Sequence, residues 1–215
     1  MRERLERLHA RARGARWLSL VVVNLRLLIG FAFVPAGLKK IFGQPFTDPD
    51  KSGTFHDFLH AFHATGGFYR FVGALQLLVA VLLMTQRWAR WGAWMALPII
   101  TAIMVFCWST SVVPTAIVAT MIFCGVVGLV VWDARPGPAL VDERVWQVCG
   151  VAILVLYLAA CAATGEIYRP RGAEWGRPVY YVLVVMPLLP VAALLIERRG
   201  RRRHAAIDGE IAGGR

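Results

Sequence analysis

Acidic residues are scarce in this chain, and charge of either sign is nearly missing from its apolar stretches. Only 13 of 215 residues are Asp or Glu, and 17% are charged in all. An ordinary soluble domain carries about 25%. The deficit excludes a conventional water-soluble globule. Cysteine is sparse too: Cys107, Cys124, Cys149 and Cys161 all lie inside apolar runs, with no C-x-x-C and no C-x-x-C-H. That removes a thioredoxin-type redox pair, a covalent c-type haem and a Cys-rich zinc site. The favoured reading is small buried apolar side chains. Cys107 and Cys161 both fall near expected outer helix ends, so pairing between them stays open. No glycine-rich nucleotide motif stands in a strand–helix setting, and no pair of intramembrane histidines offers a b-type haem site.

What the chain has in abundance is hydrophobicity: 58% of residues, with a mean hydropathy of +0.57. Six runs approach the roughly 20 apolar residues that a spanning helix needs. They are Trp17–Leu38, Phe68–Thr85, Trp88–Trp108, Val113–Trp132, Val145–Ala163 and Val179–Ile196. Trp17, Tyr69, Trp88, Trp108, Trp132, Trp146 and Tyr180 mark their ends as an aromatic belt does. Backbone groups in lipid must pair internally, so the spans are helices. The fold expected is therefore all-α, a polytopic membrane protein with six transmembrane helices. Pro114 suits a first helical turn, whereas Pro35, Pro98, Pro187 and Pro190 predict kinks or local unwinding. Gly125 and Gly128 permit close helix approach, without forming GxxxG.

The net charge of +11 invites a nucleic-acid reading, but its placement argues against one. Arg2, Arg4, Arg7, Arg11, Arg13 and Arg16 precede the first run, and Arg198, Arg199, Arg201, Arg202 and Arg203 follow the last. Such clusters set topology and meet anionic phospholipids. With the N-terminus inside, sixteen Lys and Arg fall on inner segments and six on outer ones. This predicts a multi-pass protein of the inner (plasma) membrane with both termini cytoplasmic. The first run is long for a signal peptide and carries Arg26, so it reads as an uncleaved helix. The chain divides into a basic arm (1–16), a four-helix unit (17–133) with an outer loop (39–67), a turn with two further spans (134–197), and a basic tail (198–215) expected to lack structure beyond Ala205.

The outer loop contains Thr54-Phe55-His56-Asp57-Phe58-Leu59-His60-Ala61-Phe62-His63. At 100° per residue, Phe55, Phe58, Leu59 and Phe62 share one side and the three histidines another. This predicts a short amphipathic helix with Thr54 as N-cap and Asp57 at N3. His56, His60 and His63 could converge on a metal or haem iron; the plainer alternative is a polar face in water.

Asn24 and Arg26 sit near the middle of the first span and Gln76 near the middle of the second. Antiparallel packing would bring Arg26 and Gln76 to similar depth. An arginine at a helix centre costs about 2.5–3.5 kcal/mol on insertion scales, and no acid lies within any expected span. Two readings stand. Asn24, Arg26, Lys39 and Gln76 line a pocket for a lipid headgroup or a quinone carbonyl, or they form a structural hydrogen-bond network. Lys40 reads as an interfacial anchor, whereas Arg70, which opens the second span, admits both anchoring and a turn inward toward the same pocket.

The stretch Arg26-Leu27-Leu28-Ile29-Gly30-Phe31-Ala32-Phe33-Val34-Pro35-Ala36-Gly37-Leu38-Lys39 resembles the DoxX-like family of small bacterial membrane proteins. So do Gly73-Ala74-Leu75-Gln76-Leu77-Leu78 with Leu82-Leu83-Met84, the Pro- and Ile-rich span after Arg87, and Trp132-Asp133. The resemblance covers about residues 20–133 and leaves the last two spans outside. It implies a four-helix bundle associated with redox systems: subunits of quinone-reducing thiosulfate oxidoreductases, or anchors beside thiol- and superoxide-detoxifying enzymes. Many relatives carry Glu where Gln76 stands. Three functions remain open: a redox-linked subunit with a quinone or lipid pocket, a non-catalytic accessory subunit of a larger membrane complex or a self-associating one, and a lipid or small-solute carrier. Whether the chain is an enzyme is not decided by its residues.

Overall fold

A computed structural model of the chain describes residues 11–134, 140–165, 167 and 185–213, with helical side chains as far as Arg201. Helices joined by short turns make up the described residues, with no strand among them. In chain order the helices are α1 (Arg16–Ile41), α2 (Thr54–Ala64), α3 (Gly67–Met84), α4 (Ala89–Ser109), α5 (Val113–Asp133), α6 (Glu143–Thr164) and α7 (Leu188–Gly213). Five of them, α1 and α3 to α6, are long and apolar enough to cross a membrane. They coincide with the first five expected spans to within a few residues.

The sixth span is not established. Its first third, residues 179–184, lies outside the described residues. The helix described there, from Leu188, holds nine residues before its first charge at Glu197. At 1.5 Å per residue that is about 14 Å, half a hydrocarbon core. The tail departs from expectation as well: the backbone stays helical to Gly213. Its Arg, Ala and Glu residues are strong helix formers.

Prolines start helices more than they break them. Pro114 lies in the first turn of α5, and Pro187 and Pro190 flank the start of α7. The helices α1 and α4 are assigned without interruption through Pro35 and Pro98. Thr54 is the first helical residue of α2 and not its cap. Gly53, at φ 110°, takes the cap position, and its carbonyl accepts from the Asp57 amide at 2.9 Å. Asp142 caps α6, its carboxylate accepting from the Arg144 amide at 3.0 Å.

Antiparallel α1 and α3 form the central seam. A β-carbon at Gly73 would stand 2.8 Å from the Gly37 carbonyl oxygen, so these backbones touch where only hydrogen fits. The Gly30 position meets Met84 and Ala80. This fixes the register: Gly37 lies level with Gly73 and Leu77, and Gly30 with the C-terminal end of α3. The α6 helix docks on that end. A β-carbon at Gly150 would overlap the Met84 carbonyl oxygen.

The apolar surface ends at two levels. On the α3–α4 side it stops near Gln86, followed by exposed Arg87 and Arg90. On α1 it continues from exposed Leu28 past Arg26, through exposed Val21, to exposed Trp17. Arg26 bonds Gln86, so the two sides differ by the nine residues from Arg26 to Trp17, about 14 Å of helix.

Candidate functional site at the charged end

Arg26 does not meet Gln76. Gln76 lies on α3 one turn from Gly73 and therefore level with Gly37, eleven residues from Arg26, or about 16 Å along α1. Equal depth followed from centring each apolar run in the bilayer. Glycine packing overrides it, because α1 has 26 residues and α3 only 18. Gln76 is buried, and its side-chain oxygen has no partner among the described residues.

Arg26 instead reaches the end of the bundle. Its Nη2 donates to Asp133 Oδ1 at 2.5 Å, and its Nη1 to Gln86 Oε1 at 3.3 Å. Both side chains of the ion pair are largely buried, at 15% and 9% exposure. The acid that the expected spans lacked stands one residue beyond the fourth of them. Gln86 occupies the tight α3–α4 turn at φ 62°, a left-handed conformation uncommon for a side-chain-bearing residue. Its amide also donates to the Val23 carbonyl at 3.5 Å. Glutamine is used there because its side chain bridges α1 and the turn, which glycine could not do.

A second node lies toward the N-terminus of α1, at Arg16, ten residues from Arg26 or about 15 Å of helix. Glu197 of α7 is 3% exposed. It accepts from Arg16 Nη2 at 3.1 Å and Trp146 Nε1 at 2.8 Å, and it pairs with Arg201 Nε at 3.5 Å. Arg201 also donates to the Leu140 carbonyl. Glu197 thus ties α1, α6 and α7 together.

Between the nodes lies a cleft of about 170 Å³ whose walls include Arg13, Arg26, Gln86, Trp132, Glu143 and Trp146. Arg13 lies with its guanidinium carbon 4.8 Å from the Trp132 ring centroid and donates to the Trp132 carbonyl. Burial pulls the Arg13 pKa down from its ordinary value; Asp133 pushes it back up and the like charge of Arg26 lowers it further. Asn24 is not part of the ion pair. Its amide donates to Leu20 O at 2.8 Å in its own helix.

The remaining expected site residues gather at the opposite end. Lys39 Nζ donates to Pro45 O at 3.4 Å, and Lys40 Nζ to Ala36 O at 3.3 Å. Lys40 is buried with its ammonium 4.5 Å from the Phe46 ring centroid and 5.8 Å from that of Tyr69, so it packs inward where an exposed anchor was expected. Two phenylalanines of α2 lie against the bundle: the Phe55 and Phe58 ring centroids are 5.3 and 4.4 Å from that of Phe106 of α4. The histidines do not converge. His56 Nδ1 shares a 2.5 Å hydrogen bond with Thr47 Oγ1, His60 Nε2 lies 3.1 Å from Lys51 O, and His63 Nε2 2.9 Å from Gly43 O. Each ring holds a different point of the connecting loop, and no group of three metal-binding side chains is found among the described residues. The four cysteines are free thiols, Cys107 and Cys161 included.

The charged end therefore unites Arg26 with Gln86, Asp133 and Arg13, and leaves Asn24, Lys39 and Gln76 elsewhere. Sequence reasoning missed Gln86 and Glu197. The available signal was position: each is the first polar residue of consequence after an apolar run. The model of the DoxX family matches residues 21–109. The match spans α1 to α4, so Arg26 and Gln86 lie inside it, and Arg13, Asp133, Glu143 and Glu197 outside. No curated protein and no solved structure matches the chain.

Proposed function

We propose that this DoxX-type integral membrane protein is a redox-linked membrane subunit that contacts a quinone or a lipid headgroup at the charged-end cleft. One observation carries the reading: Arg26 is built into a buried ion pair and still forms a wall of a cleft flanked by Trp132 and Trp146. Intramembrane ionisable residues are functional by default. Here the charge is held ready by Asp133 and Gln86, leaving further N–H groups for an acceptor. The redox association is what the resemblance to the DoxX-like family implies, and the family model matches residues 21–109. The charge balance supports an orientation in which this end is cytoplasmic, in a bacterial inner membrane, with the basic arm and tail against anionic phospholipids.

The test is mild-detergent purification from the native host, with the visible spectrum, extracted small molecules and co-purifying proteins read together. Bound quinone or lipid that is depleted in Arg26→Ala supports the cleft. Co-purification with a partner, with no extracted ligand sensitive to Arg26→Ala, would replace it by the accessory-subunit reading.

A further inference from the structure

We propose that the turn between α3 and α4 seats an anionic phospholipid, its phosphate held by Arg87 and Arg90 and its chains laid along the outer face of α4. The place is separate from the charged-end cleft, whose walls include neither arginine. Three observations lead to it.

The first is a pair of cations without acids. Arg87 and Arg90 are exposed. Among the described residues neither guanidinium makes a hydrogen bond or an ion pair; that of Arg87 lies with its carbon 5.6 Å from the Trp88 ring centroid. No Asp or Glu stands anywhere from Phe58 to Trp132, so α3, α4 and α5 supply none before Asp133, and Asp133 is taken by Arg26. The turn divides its polar groups: Gln86 is buried and bonds Arg26, while Arg87 faces out. Two guanidinium groups three residues apart offer a phosphate diester charge-assisted hydrogen bonds from both. With no carboxylate beside them, nothing on this face takes the ammonium of a zwitterionic headgroup.

The second is the face itself. Buried Ala89, Gly92, Ala93, Ala96 and Ile100 put one side of α4 against the bundle. At 100° per residue, Arg90, Trp91, Trp94, Pro98 and Val105 fall on the opposite side, and all five are exposed, Trp91 at 62% and Trp94 at 50%. From Trp91 to Val105 this apolar track runs about 21 Å. One leaflet's share of a hydrocarbon core is about 15 Å, so an acyl chain that starts at the arginines stays on the track.

The third is level. The apolar surface on the α3–α4 side stops near Gln86, whereas that of α1 runs on to Trp17. A phosphate on Arg87 and Arg90 therefore stands where this side of the bundle ceases to be apolar, with indole rings at headgroup depth beside it. Phosphate chemistry alone would also admit a soluble phosphomonoester, and charge alone an acidic protein. The apolar track below the arginines favours the lipid over both.

Native mass spectrometry of the full chain in detergent, paired with thermal shifts, tests this. The probes are short-chain phosphatidylglycerol, short-chain phosphatidylcholine and free glycerol phosphate. Phosphatidylglycerol should bind about tenfold more tightly than either of the others. Arg87→Gln with Arg90→Gln should remove most of that preference. Both side chains are exposed and bond nothing that the fold needs, so the ligand-free unfolding midpoint should stay at the wild-type value. Basic residues elsewhere also attract anionic lipid, so Arg202→Gln with Arg203→Gln, an equal change in net charge, is the control and should keep the preference. Equal binding of the two phospholipids overturns the anionic assignment. Equal losses in the two double variants overturn the site in favour of diffuse attraction by net charge. Free glycerol phosphate binding as tightly as the lipid overturns the lipid source. A preference kept in the Arg87 and Arg90 double variant but lost in Arg26→Ala would move the lipid to the cleft and overturn this placement.

Discussion

Arg26 and Asp133 meet at 2.5 Å, joining the eleventh residue of α1 to the last residue of α5. The contact places a buried cation at the end of a bundle whose apolar runs suggest its middle. Asp133 Oδ2 is buried without a partner among the described residues, so the carboxylate depends on Arg26. Removing one member of such a pair leaves an uncompensated charge and typically costs about 3–5 kcal/mol. Asp133→Asn and Arg26→Gln should each lower unfolding stability on that order, and the double variant should lose less than the sum. Equilibrium unfolding in detergent reads both effects. A fully stable Asp133→Asn protein would show that the pair does not matter to the fold.

Gln76 should behave in the opposite way. Its side-chain oxygen is buried and unpartnered among the described residues, so the fold gains nothing from that acceptor. Gln76→Leu is close in volume and should leave stability unchanged, or raise it by about 1 kcal/mol. The same unfolding measurement applies. A loss comparable to that of Asp133→Asn would mean that Gln76 has an essential partner.

These contrasts show what the sequence made legible. The first five apolar runs became α1 and α3 to α6 because run length and backbone pairing in lipid leave little choice. The phenylalanine side of α2 was readable from its period. Axial offset was not. Two antiparallel helices can slide by a turn without changing either hydropathy pattern, and the contact of Gly37 with Gly73 chooses the register. Hydropathy alone thus singles out Arg26 as a charge within an apolar run and gives it the wrong neighbour. Asp133 stands just past the end of its apolar run, and ends are where this bundle gathers its charge. Gln86 and Glu197 stand in no motif; their position after an apolar run is the one signal they give, and their partners need the tertiary fold.

The histidine loop offers a test that separates scaffold from metal site. His56, His60 and His63 each bond a different part of residues 43–51. His60→Ala should speed proteolytic cleavage in that loop, because one of its anchors to α2 is lost. Zinc, copper and iron content should stay below stoichiometric in the native protein and be unchanged in the variant. Stoichiometric metal that disappears with His60→Ala would make the trio a ligand set.

Orientation is testable without a ligand. Single cysteines placed at Ser52 in the outer loop and at Arg201 in the tail, on a background lacking the native four, should label oppositely with a membrane-impermeant thiol reagent. The loop should react in intact spheroplasts and the tail only after lysis. Sixteen inner against six outer Lys and Arg carry this expectation. Labelling of both sites from outside would place the tail across the membrane from its expected side.

Glu197 gives the strongest link between α7 and the rest of the fold. Its side chain is 1% exposed and receives Arg16, Trp146 and Arg201 from three helical segments. Glu197→Gln keeps an acceptor for Trp146 and removes the charge that holds the two arginines, one of them 36% exposed and the other 45%. Partial exposure screens those pairs, so the global loss should be modest, on the order of 1 kcal/mol. Glu197→Leu also leaves the Trp146 N–H unpaired in a buried position, which adds about 1–3 kcal/mol. The larger effect should be local: hydrogen exchange over 188–201 should rise in both variants, while α3 and α4 stay protected. Unchanged exchange in Glu197→Leu would mean that apolar packing of α7, and not this buried acid, seats it on the bundle.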